Sequence, residues 1–398
     1  TSFSADFPTV NPIAPFGGGG AFVTKIGGIV VTLEVKFTAS QFAAGESDAR
    51  VLIEVTRSGD SSAAATVNYA TSDTAALTNC NVINGVASSR CDYATSVGTL
   101  RFAAGETSKT VSIPIVDDAY AEGNESFTIT LSNATGASLG SPASATVTIN
   151  DNETSNGTNP IDQTPFFVRQ QYVDFLGREP DPPGFAAWQA IINNCPPNDT
   201  TCDRIHVSSA FFRSPEFQER GYFVYRFYPV AFGRKPDYVE FIPDLAKVSG
   251  FLTDSELEAA KLAFIAEFMS RQAFMTKYNG LNNTQYVDTL LLTADVTSTK
   301  RDEWIAALNA GTKTRAEVLR ELAESTEVFN RYFNQAFVVM QYFGYLRRDP
   351  EVCVGSPNPA QCGYIFHNER FKLTADKDFL ENTIVRGFIE SPEYINRF

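Results

Sequence analysis

The period of the apolar residues changes near residue 155, and that change limits the architectures open to this chain. Before it, side chains alternate with period two. Val31, Leu33, Val35 and Phe37 share one face, and the pattern returns in Val51, Ile53 and Val55, in Val67 and Tyr69, and in Leu100 and Phe102. Val111, Ile113 and Ile115 continue it, followed by Phe127, Ile129 and Leu131, then Ala145, Val147 and Ile149. Successive side chains on a strand point to opposite faces, so this pattern reads as half-buried strands. About seven of them, with Gly, Asn and Asp turns between, predict an antiparallel β-sandwich. After the change, apolar residues recur at helical spacing in Phe167–Leu176, Glu256–Phe268, Ala316–Phe329 and Phe333–Leu346. Thr253-Asp-Ser-Glu256 has the form of a capping box, and Asp181-Pro182 places a cap residue before a proline.

The chain is therefore expected to be multidomain, β then α. An N-terminal arm covers residues 1–28, the sandwich 29–153, a polar linker 154–162 and an all-α region 163–398. The linker stands out by composition, running through Asn152-Glu-Thr-Ser-Asn-Gly-Thr-Asn-Pro160. The two parts also differ in residue usage, since 24 of the 32 Phe follow residue 160.

The α region repeats. Phe167-Val168, Tyr172, Gly177-Arg178 and Pro180-Asp181 return as Phe223-Val224, Tyr228, Gly233-Arg234 and Pro236-Asp237. Gln171-Tyr-Val-Asp174 returns as Gln285-Tyr-Val-Asp288, and Trp188 is matched by Trp304 after a two-residue shift. A further copy holds Phe337-Val338, Tyr342, Leu346, Arg348 and Pro350. Similar phrases close the units: Ser214-Pro-Glu-Phe217, Ser270-Arg-Gln-Ala-Phe274, Ser325-Thr-Glu-Val-Phe329 and Ser391-Pro-Glu-Tyr394. This makes about four degenerate helical repeats. In the Gly-Arg-x-Pro-Asp phrase, Gly177 is expected to end a helix at positive φ, Asp181 to cap the next, and Arg178 to pair with a carboxylate or carbonyl at the corner. Trp188 and Trp304 are expected to be core anchors.

Six cysteines fall as three close pairs: Cys80 with Cys91, Cys195 with Cys202, and Cys353 with Cys362. None has the C-x-x-C spacing of a zinc knuckle or a thioredoxin site. Sequential pairing into three loop staples is expected, each contributing roughly 2–3 kcal/mol in the chain-entropy model. Lasting disulfides point to a secreted or cell-surface protein, and a chain that starts at Thr1 reads as a mature, processed one.

The formal net charge is −14. Residues 1–160 hold 7 basic and 15 acidic residues, net −8, and residues 161–398 hold 25 and 31, net −6. An acidic balance without a basic cluster argues against nucleic acid as a partner. No run of about 18 apolar residues is present to span a bilayer as one helix.

Several phrases of the first part resemble the Calx-beta domain: Tyr69-Ala-Thr-Ser-Asp73, Asp92-Tyr93, Gly98-Thr-Leu-Arg-Phe102, Gly105-Glu106, Val116-Asp-Asp118, Glu122-Gly-Asn-Glu125-Ser-Phe127 and Val147-Thr-Ile-Asn-Asp151. The resemblance implies an immunoglobulin-like sandwich and, as in some members, Ca²⁺ held at one end by clustered carboxylates. The positions matching family ligands are Glu46, Asp73, Asp92, Asp117, Asp118, Glu122, Glu125 and Asp151. Ca²⁺ takes six to eight oxygen ligands, and converging carboxylates raise one another's pKa unless a cation relieves them. The final acidic run, Asp151-Asn152-Glu153, departs from the family pattern by one carboxylate. The alternative is that these acids are turn and edge residues that hold no metal.

The second part resembles the bacterial secreted family named domain of unknown function 4214. The resemblance is carried by Leu176-Gly-Arg-Glu-Pro-Asp181, Gly184, Trp188 and Ser214-Pro-Glu-Phe217. The last unit departs from the pattern, with Arg347 where Gly stands and Glu351 where Asp stands. The resemblance implies a helical extracellular accessory module.

No catalytic constellation is visible. The only two histidines, His206 and His367, have no Ser or Cys partner in a nucleophile context. No phosphate loop, dinucleotide fingerprint or zinc-protease motif is present. The chain is thus expected not to be an enzyme. The first expectation for function is a secreted bacterial subunit that assembles with copies of itself into a filament or surface layer. In that reading the arm residues Phe3, Phe7, Val10, Ile13 and Phe16 dock on a neighbour or add a strand to an exposed sheet edge. The alternative is a cell-surface adhesin that binds a glycan or a protein.

Overall fold

The computed structural model describes residues 32–72, 74, 75, 79–250, 252–351, 363 and 377–398. The arm residues Phe3, Phe7, Val10, Ile13 and Phe16, the ligand candidate Asp73 and the Cys353–Cys362 pair lie outside the described residues.

The strands are β1 (Glu34–Phe37), β2 (Gln41–Gly45), β3 (Arg50–Ser58), β4 (Ala65–Thr71), β5 (Val97–Phe102), β6 (Ser108–Pro114), β7 (Glu125–Thr135), β8 (Ser138–Leu139) and β9 (Ser144–Asn150). They form two sheets, ordered β6-β3-β1-β8 and β2-β9-β7-β4-β5. Their facing sides bury Val35, Phe37, Ile53, Val55, Val67, Phe102, Ile113, Phe127, Ile129, Val147 and Ile149. These are the alternate residues of the period-two pattern, as a half-buried pleated surface requires.

Two strands escaped that pattern, and both pair in parallel. After β1 the chain crosses to the opposite sheet and runs as β2 alongside β9. β8 lies parallel to β1. β2 reads Gln-Phe-Ala-Ala-Gly and buries only Ala44 fully, so it has no alternation to read. The sandwich is therefore antiparallel except at these two pairings.

The helical region contains α1 (Thr164–Gln171), α2 (Pro182–Asn193), α3 (Arg204–Arg213), α4 (Pro215–Phe232), α5 (Tyr238–Ala246), α6 (Asp254–Ser270) and α7 (Gln272–Tyr278). It continues with α8 (Asn283–Thr293), α9 (Arg301–Ala310), α10 (Arg315–Ala323), α11 (Thr326–Gln341), α12 (Lys377–Ile389) and α13 (Pro392–Ile395). The repeat phrases occupy equivalent places. α1 widens into a π-helical turn, Tyr172–Leu176, that ends on Gly177 at φ 63°. α11 does the same at Tyr342–Leu346 and ends on Arg347 at φ 49°. Asp181 then caps α2, accepting the Gly184 N–H at 2.8 Å.

The arginine of each corner has a defined partner. Arg178 grips Glu216 through Nε at 2.8 Å and Nη2 at 2.7 Å, and Arg348 grips Glu393 at 2.7 and 2.8 Å. Glu216 and Glu393 are the acids of the two Ser-Pro-Glu phrases, so the opening and closing motifs of a unit are two halves of one bidentate clamp. Unit two uses a local substitute, with Arg234 held by Glu240.

The fourth unit closes on the first. α12 packs against α3, and the Phe398 ring meets Phe166 edge-on at 5.2 Å. A single aromatic-rich core results, and it includes Val116 of the sandwich. Trp304 is fully buried in it and donates Nε1–H to Glu321 at 2.7 Å. Trp188 packs on its margin, 5.4 Å from the Phe211 ring. Two staples pair sequentially, Cys80–Cys91 and Cys195–Cys202, with Cα separations of 5.5 and 5.4 Å. Among the described residues no helix is long and apolar enough to cross a membrane.

Replacing Trp304 by Ala removes the largest fully buried side chain among the described residues and takes one of two donors from the Glu321 carboxylate, leaving it Lys313. The expected cost is about 3–5 kcal/mol, read as a lower urea midpoint of the helical unfolding transition. An unchanged midpoint would contradict this account of the core.

Candidate metal centre

Carboxylates gather at the end of the sandwich that faces the helices. Glu46 sits on the short turn after β2, and Asp117 and Asp118 follow β6. Asp92 lies in the loop pinned by the Cys80–Cys91 staple. Glu122 precedes β7, Glu125 begins it, and Asp151 and Glu153 follow β9. Apart from Asp92, these positions lie at or just beyond strand ends, where different loops can point polar groups at one spot while the strands fill the core.

Two groups of three emerge. Glu46, Asp151 and Glu153 bring carboxylate oxygens within 4.8 Å of one another, and so do Asp92, Glu122 and Glu125. Asp118 stands close enough for its charge to act on both groups. Asp117 is half-buried and belongs to neither group. Glu153, not counted among the candidate ligands, is a member. The Asp151 side chain accepts the Glu153 N–H at 2.7 Å, which turns the chain back, and the longer Glu153 side chain reaches the group from there. The departure at Asn152 therefore costs the cluster no carboxylate.

Burial makes the arrangement demanding. Glu46, Asp92, Asp118, Glu122 and Glu125 are between 4% and 6% exposed. Among the described residues none of the seven clustered carboxylates forms an ion pair with Lys or Arg. Backbone amides satisfy some oxygens: Ser88 N–H donates to Asp92, Tyr120 N–H to Asp118 and Gly123 N–H to Asp151. Glu46 Oε2 and Glu153 Oε2 are enclosed with no hydrogen-bond partner. A buried anionic oxygen left in that state costs several kcal/mol (about 1–3 for the desolvated acceptor alone, more when charged).

Protons or a cation must balance these charges. Burial, then the Asp118 charge, pushes Glu46 up to about 10. Burial raises Asp118 to about 8, and burial with the Asp92 and Asp118 charges raises Glu122 to about 9. Glu125 is raised to about 7, mainly by burial, while Asp92 rises through burial and its contact with Glu125. Asp151 goes the other way: burial acts against its ionisation, but the Glu153 and Gly123 amides outweigh it. The donor set is all oxygen and mostly carboxylate, with no imidazole or free thiolate, which suits a hard divalent cation of the size of Ca²⁺. Glu46, Asp151 and Glu153 would hold one position and Asp92, Glu122 and Glu125 a second, with Asp118 between.

Raised carboxylate values set the sign of the pH dependence. These acids stay protonated in the folded, metal-free protein where the unfolded chain has already lost its protons. Their contribution to stability is present below their unfolded values of 3.8–4.5 and is lost as pH rises through about 7, 8, 9 and 10. The chelated protein is expected to melt at a lower temperature at pH 9 than at pH 5, and millimolar Ca²⁺ to remove most of that difference. A melting temperature that rises from pH 5 to pH 9 under chelation would contradict it.

A family model of the Calx-beta domain matches residues 31–153. A second, the domain of unknown function DUF4214, matches residues 265–332. That match begins in α6 and ends in α11, so it falls on the third unit rather than on the first, whose motifs resemble the family in sequence. Sodium/calcium exchanger 1 of Bos taurus and of Cavia porcellus are each 36% identical over 88 residues, 18% of this chain and 9% of the exchanger. The chain thus spans about a tenth of the length of these relatives. Among solved structures, the apo-form Calx CBD1 domain is 30% identical, covering 31% of this chain and 99% of that one at a TM-score of 0.27. The calcium binding domain CBD12 of CALX1.1 is 31% identical, covering 30% of this chain and 46% of that one, also at 0.27. This chain carries a Calx-beta domain over residues 31–153, followed at residues 265–332 by a match to DUF4214.

Proposed function

We propose that this protein is a non-catalytic, calcium-binding module of an extracellular or cell-surface protein, in which Ca²⁺ holds the sandwich end against the helical region. The observation that carries the proposal is the two carboxylate groups, one buried throughout and one half-buried around the buried Glu46, with enclosed and unpartnered oxygens on Glu46 and Glu153. The Calx-beta match and the printed names of the similar proteins, a sodium/calcium exchanger and a calcium binding domain, support the choice of ion. The staples Cys80–Cys91 and Cys195–Cys202 support an oxidising compartment. Its role is then mechanical or adhesive rather than chemical.

Assembly into a polymer through Phe3, Phe7, Val10, Ile13 and Phe16 remains a proposal from the sequence, since the arm lies outside the described residues. Adhesion to a glycan or a protein stands on the same footing.

Calorimetric titration of the intact chain with Ca²⁺ tests the calcium reading. Saturable binding is expected; because the ion binds only the folded state, folding stability should rise by about 2.7 kcal/mol at a hundredfold excess over Kd, and the melting temperature with it. Glu122→Gln and Asp92→Asn should each weaken binding at least about tenfold, because each removes an anionic ligand from a site built of few. Identical titrations of the wild type and both variants would overturn the assignment of ligands.

A further inference from the structure

The loops that carry the carboxylates are held from outside by three arginines of the helical region. Arg169 of α1 donates through Nη2 to Ala49 O at 2.6 Å and to Ile115 O at 3.0 Å. Ala49 lies three residues after Glu46, and Ile115 three before Asp118. Arg347 donates through Nη1 to Ser89 O and to Tyr93 O, the latter at 2.8 Å. Arg397 donates through Nε to Arg90 O at 2.9 Å. The loop around Asp92 is thus gripped at three carbonyls, those of Ser89, Arg90 and Tyr93, by two guanidinium groups.

These arginines are anchored in turn. Asp174, in the first π-helical turn, has a fully buried side chain that accepts from both Arg347, at 3.0 Å, and Arg397, at 3.2 Å. Two cations on one carboxylate leave an excess of positive charge beside Asp92. Arg347 also stands at the corner where the repeat pattern has glycine, in a left-handed conformation with φ 49°. A side chain there costs about 1–2 kcal/mol, and its contacts with Ser89, Tyr93 and Asp174 offset that cost. The residue that breaks the repeat pattern is the one that reaches across to the sandwich.

We propose that Arg169, Arg347 and Arg397 are positioning residues of the metal centre, so that cation binding in the sandwich and docking of the helical region stabilise each other. The inference rests on the calcium reading above. A cation that draws Asp92, Glu122 and Glu125 together fixes the carbonyls of Ser89, Arg90 and Tyr93 where the arginines meet them. Without it, protons take the place of the cation on these acids and nothing draws the three loops to a common point, so that grip is looser. By linkage, whatever the cation adds to docking, docking adds to cation affinity.

The test uses the full chain and Ca²⁺ alone, with two readouts. Arg347→Lys and Arg397→Lys keep the charge but lose the fork that spans two carbonyls. Each should weaken Ca²⁺ binding about tenfold, measured calorimetrically. In the wild type, Ca²⁺ should slow amide hydrogen exchange in Tyr342–Leu346 and Pro392–Ile395, which contain no metal ligand. A merely structural role for Arg347 would leave that exchange indifferent to Ca²⁺, and the wild-type measurement holds even if a variant folds poorly. Wild-type affinity in both variants, together with helical exchange unchanged by Ca²⁺, would overturn the coupling while leaving the calcium reading intact. Absence of Ca²⁺ binding by the wild type would overturn the calcium reading itself and the coupling with it.

Discussion

Asp174 is the point on which the two halves of the molecule turn. Its carboxylate is fully enclosed and bonds Arg347 and Arg397, which then extend to the carbonyls of Ser89, Arg90 and Tyr93. Removing it would leave two buried cations facing each other, the situation in which breaking a buried pair costs about 3–5 kcal/mol. The same phrase, Gln-Tyr-Val-Asp, recurs at Asp288, yet there the acid is exposed and pairs with its neighbour Arg301. The repeat supplies the residue, and closure of the fourth unit on the first turns it into a hub, because Arg347 and Arg397 both belong to the last unit.

A second charge problem lies on the other side of that interface. The sandwich end buries carboxylates without basic partners, and the helical side presents arginines whose carboxylate partners are outnumbered. The two imbalances oppose each other in sign across a few residues of loop. The arginines bond the backbone rather than the clustered carboxylates, so they orient the acids without neutralising them. That leaves the oxygens available to a cation, which is what a metal centre needs from its supporting shell. The net −14 of the chain is thus uneven in meaning: residues 161–398 carry −6 of it, dispersed over the helices, while residues 1–160 carry −8, part of it gathered in the buried carboxylates.

How much of this was legible in the sequence follows from the range of each interaction. Alternation placed the buried faces of β3, β6, β7 and β9, because burial on a strand repeats every second residue. It missed β2, whose Ala-Ala-Gly has no contrast, and it was silent on the parallel pairings, which are set by a crossing between sheets. Local spacing was enough for the Cys80–Cys91 and Cys195–Cys202 pairs and for the Asp181 cap. The corner arginine was expected to find a carboxylate, but the identity of Glu216 and Glu393 needed the fold. Glu153 was passed over because counting acids along a run ignores side-chain length and the turn made by Asp151. The Asp174 hub was out of reach, since nothing local links residues 173 and 223 positions apart. Arg347 left one trace, as the residue that stands where the pattern has glycine.

The central claim is that the two carboxylate groups hold Ca²⁺. A crystal structure of the intact chain grown with millimolar Ca²⁺, with anomalous scattering used to locate the ion, tests it most directly. The account predicts ions bound by Asp92, Glu122 and Glu125 and by Glu46, Asp151 and Glu153, with oxygens about 2.3–2.6 Å away. Carboxylates hydrogen-bonded to one another through shared protons, with no anomalous peak between them at that concentration, would contradict it.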